Sequence, residues 1–423
     1  MVSWYYVAVF AWLFRYLRLV VNCISHWTFR PIPIPEHPSY TSQDVTIILP
    51  TIATGGDELR DTIETCLKSE PYELLLVTID ANAASLMKLA NRINPKKIRV
   101  LSIREANKRR QMCRAIPEVV TKITIFVDDD VVWPQKVLPW MLAPFEDAKV
   151  GGVGTSQRLK RPENMSGYIF LGFCYLERRN FDCSACLNID GGLPCLSGRT
   201  VAYRSDILQD EAFTHGFTHE TWRKNQLNAD DDNFITRWLY SHGWKIKMQY
   251  HKEFNACAGY AATGVAISRV YSWSATTGTL NHGAHILTYL FTFLILWTYG
   301  FSKTVKLWGH FFRYPVDVIY LPLYIAFGYF HGCIKAYGML TLSQTTWGSR
   351  DGADTDNRVR MIKLPSYDST QFQEVDGRKS ESFDYPPGPH TQMLEADQLP
   401  AYDAHTRHNP VPLTTTNTNT YHD

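Results

Sequence analysis

ITIFVDDDVVWP, residues 123–134, drives three consecutive aspartates into the end of a run of β-branched and aromatic residues. Ile123 to Val127 has the composition of a strand buried on both faces, as in a parallel sheet, and Pro134 closes the segment. Asp128, Asp129 and Asp130 therefore stand at a strand's carboxyl end. In open α/β sheets ligands bind at that edge, and crowded carboxylates there are most readily neutralised by a hard divalent cation. A solvated acidic turn is the plain alternative, and the surrounding chain has to decide.

Upstream the same unit repeats. DVTIILPT (44–51) is a first buried strand, followed by the helical DELRDTIETCLK; Leu74 to Ile79 is a second, ending at Asp80 before another helix; KIRVLSI opens a third, followed by the basic NKRRQMCR. Strands and helices alternating at this interval predict an α/β fold with a doubly wound, mostly parallel sheet, whose strands present their carboxyl ends at one rim. Asp80 and the aspartate triplet then face one crevice with Lys108, Arg109 and Arg110 close by. Such a crevice suits a nucleoside diphosphate, although a basic run is also a common solvated helix face. No Walker or dinucleotide glycine loop is present, which leaves the metal to carry most of the phosphate neutralisation.

Downstream, LNADDDNFITRWLYSHGWKIKMQ (227–249) reads as a second acidic cluster opening an amphipathic helix. Carboxylates at a helix start are stabilised by its dipole, and one beside a leaving diphosphate could also take a proton from an attacking hydroxyl. SRVYSWSATTGTL (268–280) follows, with Trp273 either an interfacial anchor or a platform for a sugar ring.

The flanks are of a different composition. Residues 2–27 are long enough to span about 30 Å of hydrocarbon, but Arg15 and Arg18 make them either a span with snorkelling arginines or an in-plane anchor. ILTYLFTFLILWTYGF (286–301) carries no charge and predicts a transmembrane helix; PVDVIYLPLYIAFGYFHGCIKAYGML (315–340) predicts an interfacial piece leading into a span. Arg15, Arg18 and Arg30 beside the first segment, with three spans, put the middle domain and the C-terminal tail on the cytoplasmic side of a multi-pass protein of the plasma membrane. The boundaries expected are 1–30 for the first membrane helix, 31–43 for a proline-rich linker, 44–280 for the soluble domain, 281–345 for the later helices and 346–423 for the tail. That tail is too poor in aliphatic residues to offset its ordering entropy and reads as disordered. Its repeated LPSYD and LPAYD, carrying Tyr367 and Tyr402, look like ligands of a WW-domain protein.

The 423 residues, 45% hydrophobic, allow one large core, and a net charge of +2 gives no sign of a nucleic-acid partner. Nine cysteines, an odd number, do not form a secreted disulfide framework. Cys174, Cys183, Cys186 and Cys195 are either a structural zinc site or buried free thiols.

Asp80, NKRR, the DDD after a strand, DDDNFITRW and the late tryptophan motif, followed by membrane helices, resemble in their order the membrane-integrated family-2 glycosyltransferases. Hyaluronan, chitin and cellulose synthases are familiar members; more narrowly the chain looks like the fungal type 2 glycosyltransferases related to capsule and hyaluronan synthases. The resemblance covers roughly residues 1–350, TTWGSR (345–350) included. It implies a GT-A-like domain in which Thr51 and Asp80 hold uridine, Lys108, Arg109 and Asp128 bind the donor diphosphate, and Asp130 with Asp128 holds Mg2+ or Mn2+. Asp232, with Asp231 beside it, is implied as general base, and Gly198, Arg199, Arg269 and Trp273 as the border of the acceptor glycan. Asp129, on the opposite side of an extended segment, is expected to be the most replaceable of its triplet.

The implied function is inverting transfer from a UDP-sugar at the membrane, making and exporting a fungal cell-wall or extracellular polysaccharide. One departure stands out. RVYSW replaces the family's QxxRW, so Ser272 stands where an arginine would help bind the diphosphate. That leaves two alternatives: a non-processive glycolipid transferase, and a degenerate transferase acting as a membrane scaffold.

Overall fold

The computed structural model describes residues 4–104, 106–222, 225–227, 230–250 and 282–341. All lie in the first of two units of the chain, Met1–Pro365. The expectations for the tail, for Tyr367 and Tyr402, for TTWGSR, and for Arg269 and Trp273 fall outside these residues.

In chain order the elements are α1 (Trp4–Thr28), β1 (Val45–Pro50), α2 (Asp57–Leu67), β2 (Glu73–Ile79), α3 (Asp80–Ile93), β3 (Ile98–Ile103), α4 (Lys108–Ala115), β4 (Ile123–Val127) and α5 (Val137–Leu142). There follow β5 (Val150–Thr155), α6 (Gly167–Asp190), β6 (Thr200–Arg204), α7 (Ser205–Leu208), α8 (Glu211–His219), the short β7 (Thr221–Trp222) and β8 (Asn225–Gln226), α9 (Asp231–Ser241) and β9 (Lys245–Gln249). The last helices are α10 (His282–Thr304), α11 (Trp308–Arg313) and α12 (Leu321–Leu340).

Seven strands form one sheet in the order β3-β2-β1-β4-β6-β5-β9. Its neighbours pair in parallel except at β6, which runs antiparallel to both β4 and β5. The mostly parallel, doubly wound sheet expected from the sequence is present, and its period-2 alternation loads both faces. Val45, Ile47, Leu49, Leu74, Leu76, Ile123 and Ile125 pack on one side with Leu59 and Ile63 of α2, Leu86 of α3 and Met141 of α5. Ile48, Leu75, Val77 and Phe126 point the other way, onto Met112 of α4, Phe213 and Phe217 of α8 and Ile235 and Leu239 of α9. Each such side chain, fully buried, stabilises the fold by about 1.5–3 kcal/mol.

Three strands differ from the sequence reading. The helix expected across 227–249 stops at Ser241, where Gly243 turns at φ +74°, and Lys245–Gln249 pairs with β5, burying Ile246 and Met248. β5 itself, VGGVGT, shows little side-chain pattern because its glycines are needed for close packing. A Cβ on Gly152 would come within 2.8 Å of Leu239 and 2.9 Å of Leu196. β6 lies inside CLSGRTVAYRSD, a stretch read for chemistry rather than as a strand.

The apolar flanks are helical as expected. Pro315–Leu340 is the one stretch among the described residues that is long and apolar enough to cross a membrane. Phe10 and Phe14 of α1, Phe293 and Trp297 of α10, and Tyr329, Phe330 and Leu340 of α12 are all exposed. The proline-rich stretch is not a free linker throughout: Ile32 exchanges backbone hydrogen bonds with the Gln249 amide at 3.0 and 2.9 Å. α6 joins these flanks to the sheet. Ser25 of α1 donates to the Ala185 carbonyl (2.7 Å), Lys306 pairs with Asp182 (2.6 Å), and Arg313 pairs with Glu177. Cys174, Cys183, Cys186 and Cys195 are free thiols, the first two buried.

Candidate active site

The reversed strand β6 builds the site. Because Thr200 pairs with Val127, the residues just before β6 lie beside the aspartates just after β4, and Asp128 N–H donates to the Arg199 carbonyl at 3.2 Å. Two helix starts close on the same spot. Asn107 caps α4, its side chain accepting from Arg110 N–H at 3.0 Å, and this sets Lys108 at the helix mouth. Asp231 and Asp232 form the first turn of α9, where the helix dipole favours carboxylates by about 0.3–1 kcal/mol each.

Five residues singled out in the sequence therefore meet. Lys108 Nζ lies 2.9 Å from Asp128 Oδ1 and 3.1 Å from Asp231 Oδ2, bridging the two acidic clusters. Gly198 N–H donates to Asp232 Oδ2 at 3.3 Å. A Cβ at Gly198 would sit 3.3 Å from Asp231 Oδ2 and 3.5 Å from Lys108 Nζ, so a side chain there would press on the ion pair. Burial works against the Lys108 charge, but the carboxylates of Asp231 and Asp128 outweigh it and hold the amine well above its ordinary range. Burial pushes Asp128 up against the pull of Lys108, and the nearby charges of Asp231 and Asp130 add to the push.

The remaining predicted residues are placed as follows. Asp80 opens α3 directly after β2 and is exposed at the same rim. Asp130 is exposed. Arg199 is half-buried and donates to Gln157 Oε1 at 3.2 Å.

Two residues are engaged differently from expectation. Thr51, expected to hold uridine, is buried, and its hydroxyl donates to Asp129 Oδ2 at 2.5 Å while accepting from Ala53 N–H at 3.0 Å. Arg109, expected beside the donor diphosphate, is only 2% exposed. Its guanidinium donates to the Phe217 carbonyl (3.0 Å), Glu220 Oε2 (2.8 Å) and the Asp230 carbonyl (3.2 Å).

Asp129 also departs from its expected role as the replaceable member. It is 8% exposed, takes the Thr51 hydroxyl on its carboxylate, and accepts from the Thr62 hydroxyl of α2 on its carbonyl at 3.1 Å. The segment is a turn rather than extended at Asp129 and Asp130, and the Asp129 side chain lies in the interior.

Several residues of the site were not singled out from sequence. Gln157 Oε1 accepts from Ser197 (3.1 Å), Arg199 (3.2 Å) and Arg179 (3.4 Å), which gathers the loop before β6. Gln111 donates from Nε2 to the Thr51 and Val77 carbonyls at 3.0 and 2.9 Å, fixing the ends of β1 and β2. Burial, reinforced by Asp232, pushes the Cys195 thiol up to about 12. Burial with Asp232 nearby raises Tyr203 as well. The adjacency of Gln111 to the NKRR run was an available signal; Gln157 had none, because its partners come from distant parts of the chain.

Among the described residues no three His, Cys, Asp or Glu side chains gather as a metal-holding group.

A sequence profile of the glycosyltransferase like family 2 matches residues 43–281, which contains every residue of this site. The chain belongs to that family. A type 2 glycosyltransferase of the fungus Zymoseptoria tritici is 58% identical across the whole of this chain and 99% of its own length. A type 2 glycosyltransferase of Pyricularia oryzae is 43% identical over 86% of this chain and 85% of its own. This family-2 glycosyltransferase thus has the identity suggested by its motifs. Among solved structures, a mannosyltransferase from Pyrobaculum calidifontis in complex with GDP-Man and Mn2+ aligns at a TM-score of 0.37 and 13% identity, covering 82% of this chain and 93% of that one.

Proposed function

We propose that this glycosyltransferase transfers a sugar from a UDP-sugar to an acceptor hydroxyl with inversion, at a membrane, and builds a cell-wall or extracellular polysaccharide. The observation that carries the reading is Lys108 held between Asp128 and Asp231, with Gly198 against Asp232. Donor-side and acceptor-side segments converge there on one lysine and three carboxylates.

In this reading Asp80 and the end of β1 receive the uridine, and the charged Lys108 faces the diphosphate. Gly198 leaves room beside Asp232 for the acceptor hydroxyl. Asp232 takes the proton of that hydroxyl as its oxygen attacks the anomeric carbon and the bond to UDP breaks. Asp231 holds Lys108 in place, and Arg199 borders the incoming glycan.

A divalent cation fits the residues. Magnesium is commonly held by one or two carboxylates together with substrate phosphates rather than by a full protein cage. Exposed Asp130 and its neighbour Asp128 are such a pair. Bound Mg2+ or Mn2+ supplies charge neutralisation for the departing diphosphate.

The exposed apolar side chains of α1, α10 and α12 support insertion into a bilayer, with the catalytic domain and tail on the cytoplasmic side. In the tail, Tyr367 and Tyr402 recruit a WW-domain protein; replacing both with alanine slows turnover of the protein, and unchanged turnover removes this part of the reading. The Ser272 of RVYSW favours a second reading, short non-processive transfer to a glycolipid, which product size distinguishes. The test of the main reading incubates membranes carrying the protein with a panel of UDP-sugars and Mn2+ and follows UDP release. Equal release by wild type and Asp232→Asn with every donor would overturn it.

A further inference from the structure

Arg109 and Asp230 each sit one residue from the groups assigned to transfer, and the proposed reaction gives neither a contact with donor or acceptor. Lys108 and Arg109 are consecutive, as are Asp230 and Asp231, and the fold joins them crosswise. Lys108 reaches the Asp231 side chain at 3.1 Å, while Arg109 reaches the Asp230 carbonyl at 3.2 Å.

The Asp230 carbonyl already accepts the first hydrogen bond of α9, from Phe234 N–H at 3.2 Å, and Arg109 adds a second contact from outside the helix. Asp230 adopts φ 57° and ψ 46°, the left-handed conformation that residues with a Cβ seldom take, and it is the N-cap from which α9 starts. Strained backbone of this kind persists where surrounding contacts over-determine it. Here those contacts include a desolvated guanidinium beside the helix's own hydrogen bond. Arg109 also holds Glu220 and the Phe217 carbonyl, and it lies 5.2 Å and 5.6 Å from the ring centres of Phe217 and Phe234. Glu220 is shared with Arg237, which is on α9 itself. With 2% exposure, the guanidinium is out of reach of a bound diphosphate.

We propose that Arg109 is a positioning residue for sugar transfer: by fixing the left-handed turn at Asp230 it aims the Asp231 and Asp232 side chains at Lys108 and Gly198. The proposal rests on the reading of Asp232 as the base. Two grips by neighbouring residues, one on a side chain and one on a carbonyl, define both the position and the rotation of the first turn of α9. Loss of the second grip leaves the helix intact and its first turn free to rotate, which moves the carboxylates by a fraction of their distance to the acceptor.

The test uses the full-length protein in membranes with the donor that gives UDP release. Arg109→Lys keeps a positive charge but cannot span Glu220, the Phe217 carbonyl and the Asp230 carbonyl together. A displacement near 1 Å at the reacting groups costs about 10²-fold in rate, so kcat should fall by roughly ten- to a hundredfold while the donor KM stays within about twofold. Adding Asp230→Gly should restore kcat severalfold, because glycine takes the left-handed turn without a clamp. Asp230→Val alone should reproduce the loss.

A raised donor KM with unchanged kcat would overturn the proposal in favour of direct donor binding. Loss of folded protein with unchanged kcat per folded molecule would overturn it in favour of a purely structural role. If wild type releases no UDP from any donor, the transferase reading itself fails, and amide exchange at residues 231–235 still isolates the clamp. Faster exchange in Arg109→Lys supports it, and unchanged exchange sinks it.

Discussion

Two aspartate triplets, 128–130 after β4 and 230–232 at the start of α9, have the same composition and meet on the same lysine. Each divides its labour in three, yet in a different way. In the turn that follows the strand, Asp128 reaches Lys108, Asp129 is directed inward to Thr51, and Asp130 stays exposed. At the helix start, the first member contributes its carbonyl, gripped by Arg109, and the next two project from one turn toward Lys108 and Gly198. The turn after a strand thus splits three acids between interior and crevice, whereas a helix start sends two acids to the crevice and is held through the carbonyl of the remaining one. The difference teaches that the count of acidic residues in a motif says little about how many face the ligand.

The largest effect expected from breaking this arrangement is at Asp232. Asp232→Asn removes the proposed base and should lower kcat by about 10²–10⁴-fold with thermal stability nearly unchanged, read as UDP release and melting temperature in detergent. Next is the shared cation. Lys108→Met leaves Asp128 and Asp231 facing each other without a counter-charge, and loss of one preorganised donor typically costs about 10²–10³-fold in kcat. If Lys108→Met keeps wild-type kcat/KM, the two triplets are not coupled through it.

Asp129 sharpens the contrast inside the first triplet. Asp129→Ala strands the buried Thr51 hydroxyl, a loss of about 1–3 kcal/mol in stability. Thr51→Val should cost a similar amount, and the double variant should cost less than the sum, since both remove one contact. Asp130→Ala should leave stability within about 0.5 kcal/mol, being a surface change, and raise the concentration of Mn2+ needed for half-maximal activity. Equal melting temperatures for Asp129→Ala and Asp130→Ala would erase the distinction drawn between them.

Much of this was legible in the chain. β1, β2 and β4 announce themselves because Val45–Pro50, Glu73–Ile79 and Ile123–Val127 are almost wholly buried runs of branched and aromatic residues. Lys108, Asp128, Asp231 and Asp232 were legible because like charges crowded at a strand or helix end repel one another until a counter-charge or a ligand meets them. Gly198 was legible through the likeness of CLSGRTVAYRSD to the family's acceptor segment. Glycine-rich β5 was not, since its packing against Leu196 and Leu239 is written as an absence of side chains. The roles of Thr51, Asp129 and Arg109 were hidden for another reason. Thr51 and Asp129 are 78 positions apart, and Arg109 and Asp230 are 121 apart, so only the fold decides whether such polar groups face the crevice or each other.

The smallest effect concerns the acid-base balance of neighbouring aspartates. Burial holds the Asp128 carboxyl above its ordinary value even with Lys108 beside it. A carboxyl whose folded pKa is raised favours the folded state when protonated. Its ionisation therefore weakens folding as pH rises from the unfolded value, about 3.9, through the raised folded value. Asp128→Asn removes that penalty and also one of the two carboxylates that hold the Lys108 charge, of which Asp231 remains at 3.1 Å. The variant should be inactive yet at least as stable as wild type at pH 7, with the stability difference shrinking as pH falls toward 4. Asp129→Asn, one residue away, should be less stable than wild type, because the Thr51 hydroxyl exchanges a charged acceptor for a weaker neutral amide oxygen and a buried NH2 group is added. Melting curves for the two variants between pH 4 and pH 7 read the opposite signs directly. If Asp128→Asn melts below wild type at pH 7, the ion pair with Lys108 outweighs burial, and Asp128 contributes to the fold as Asp129 does.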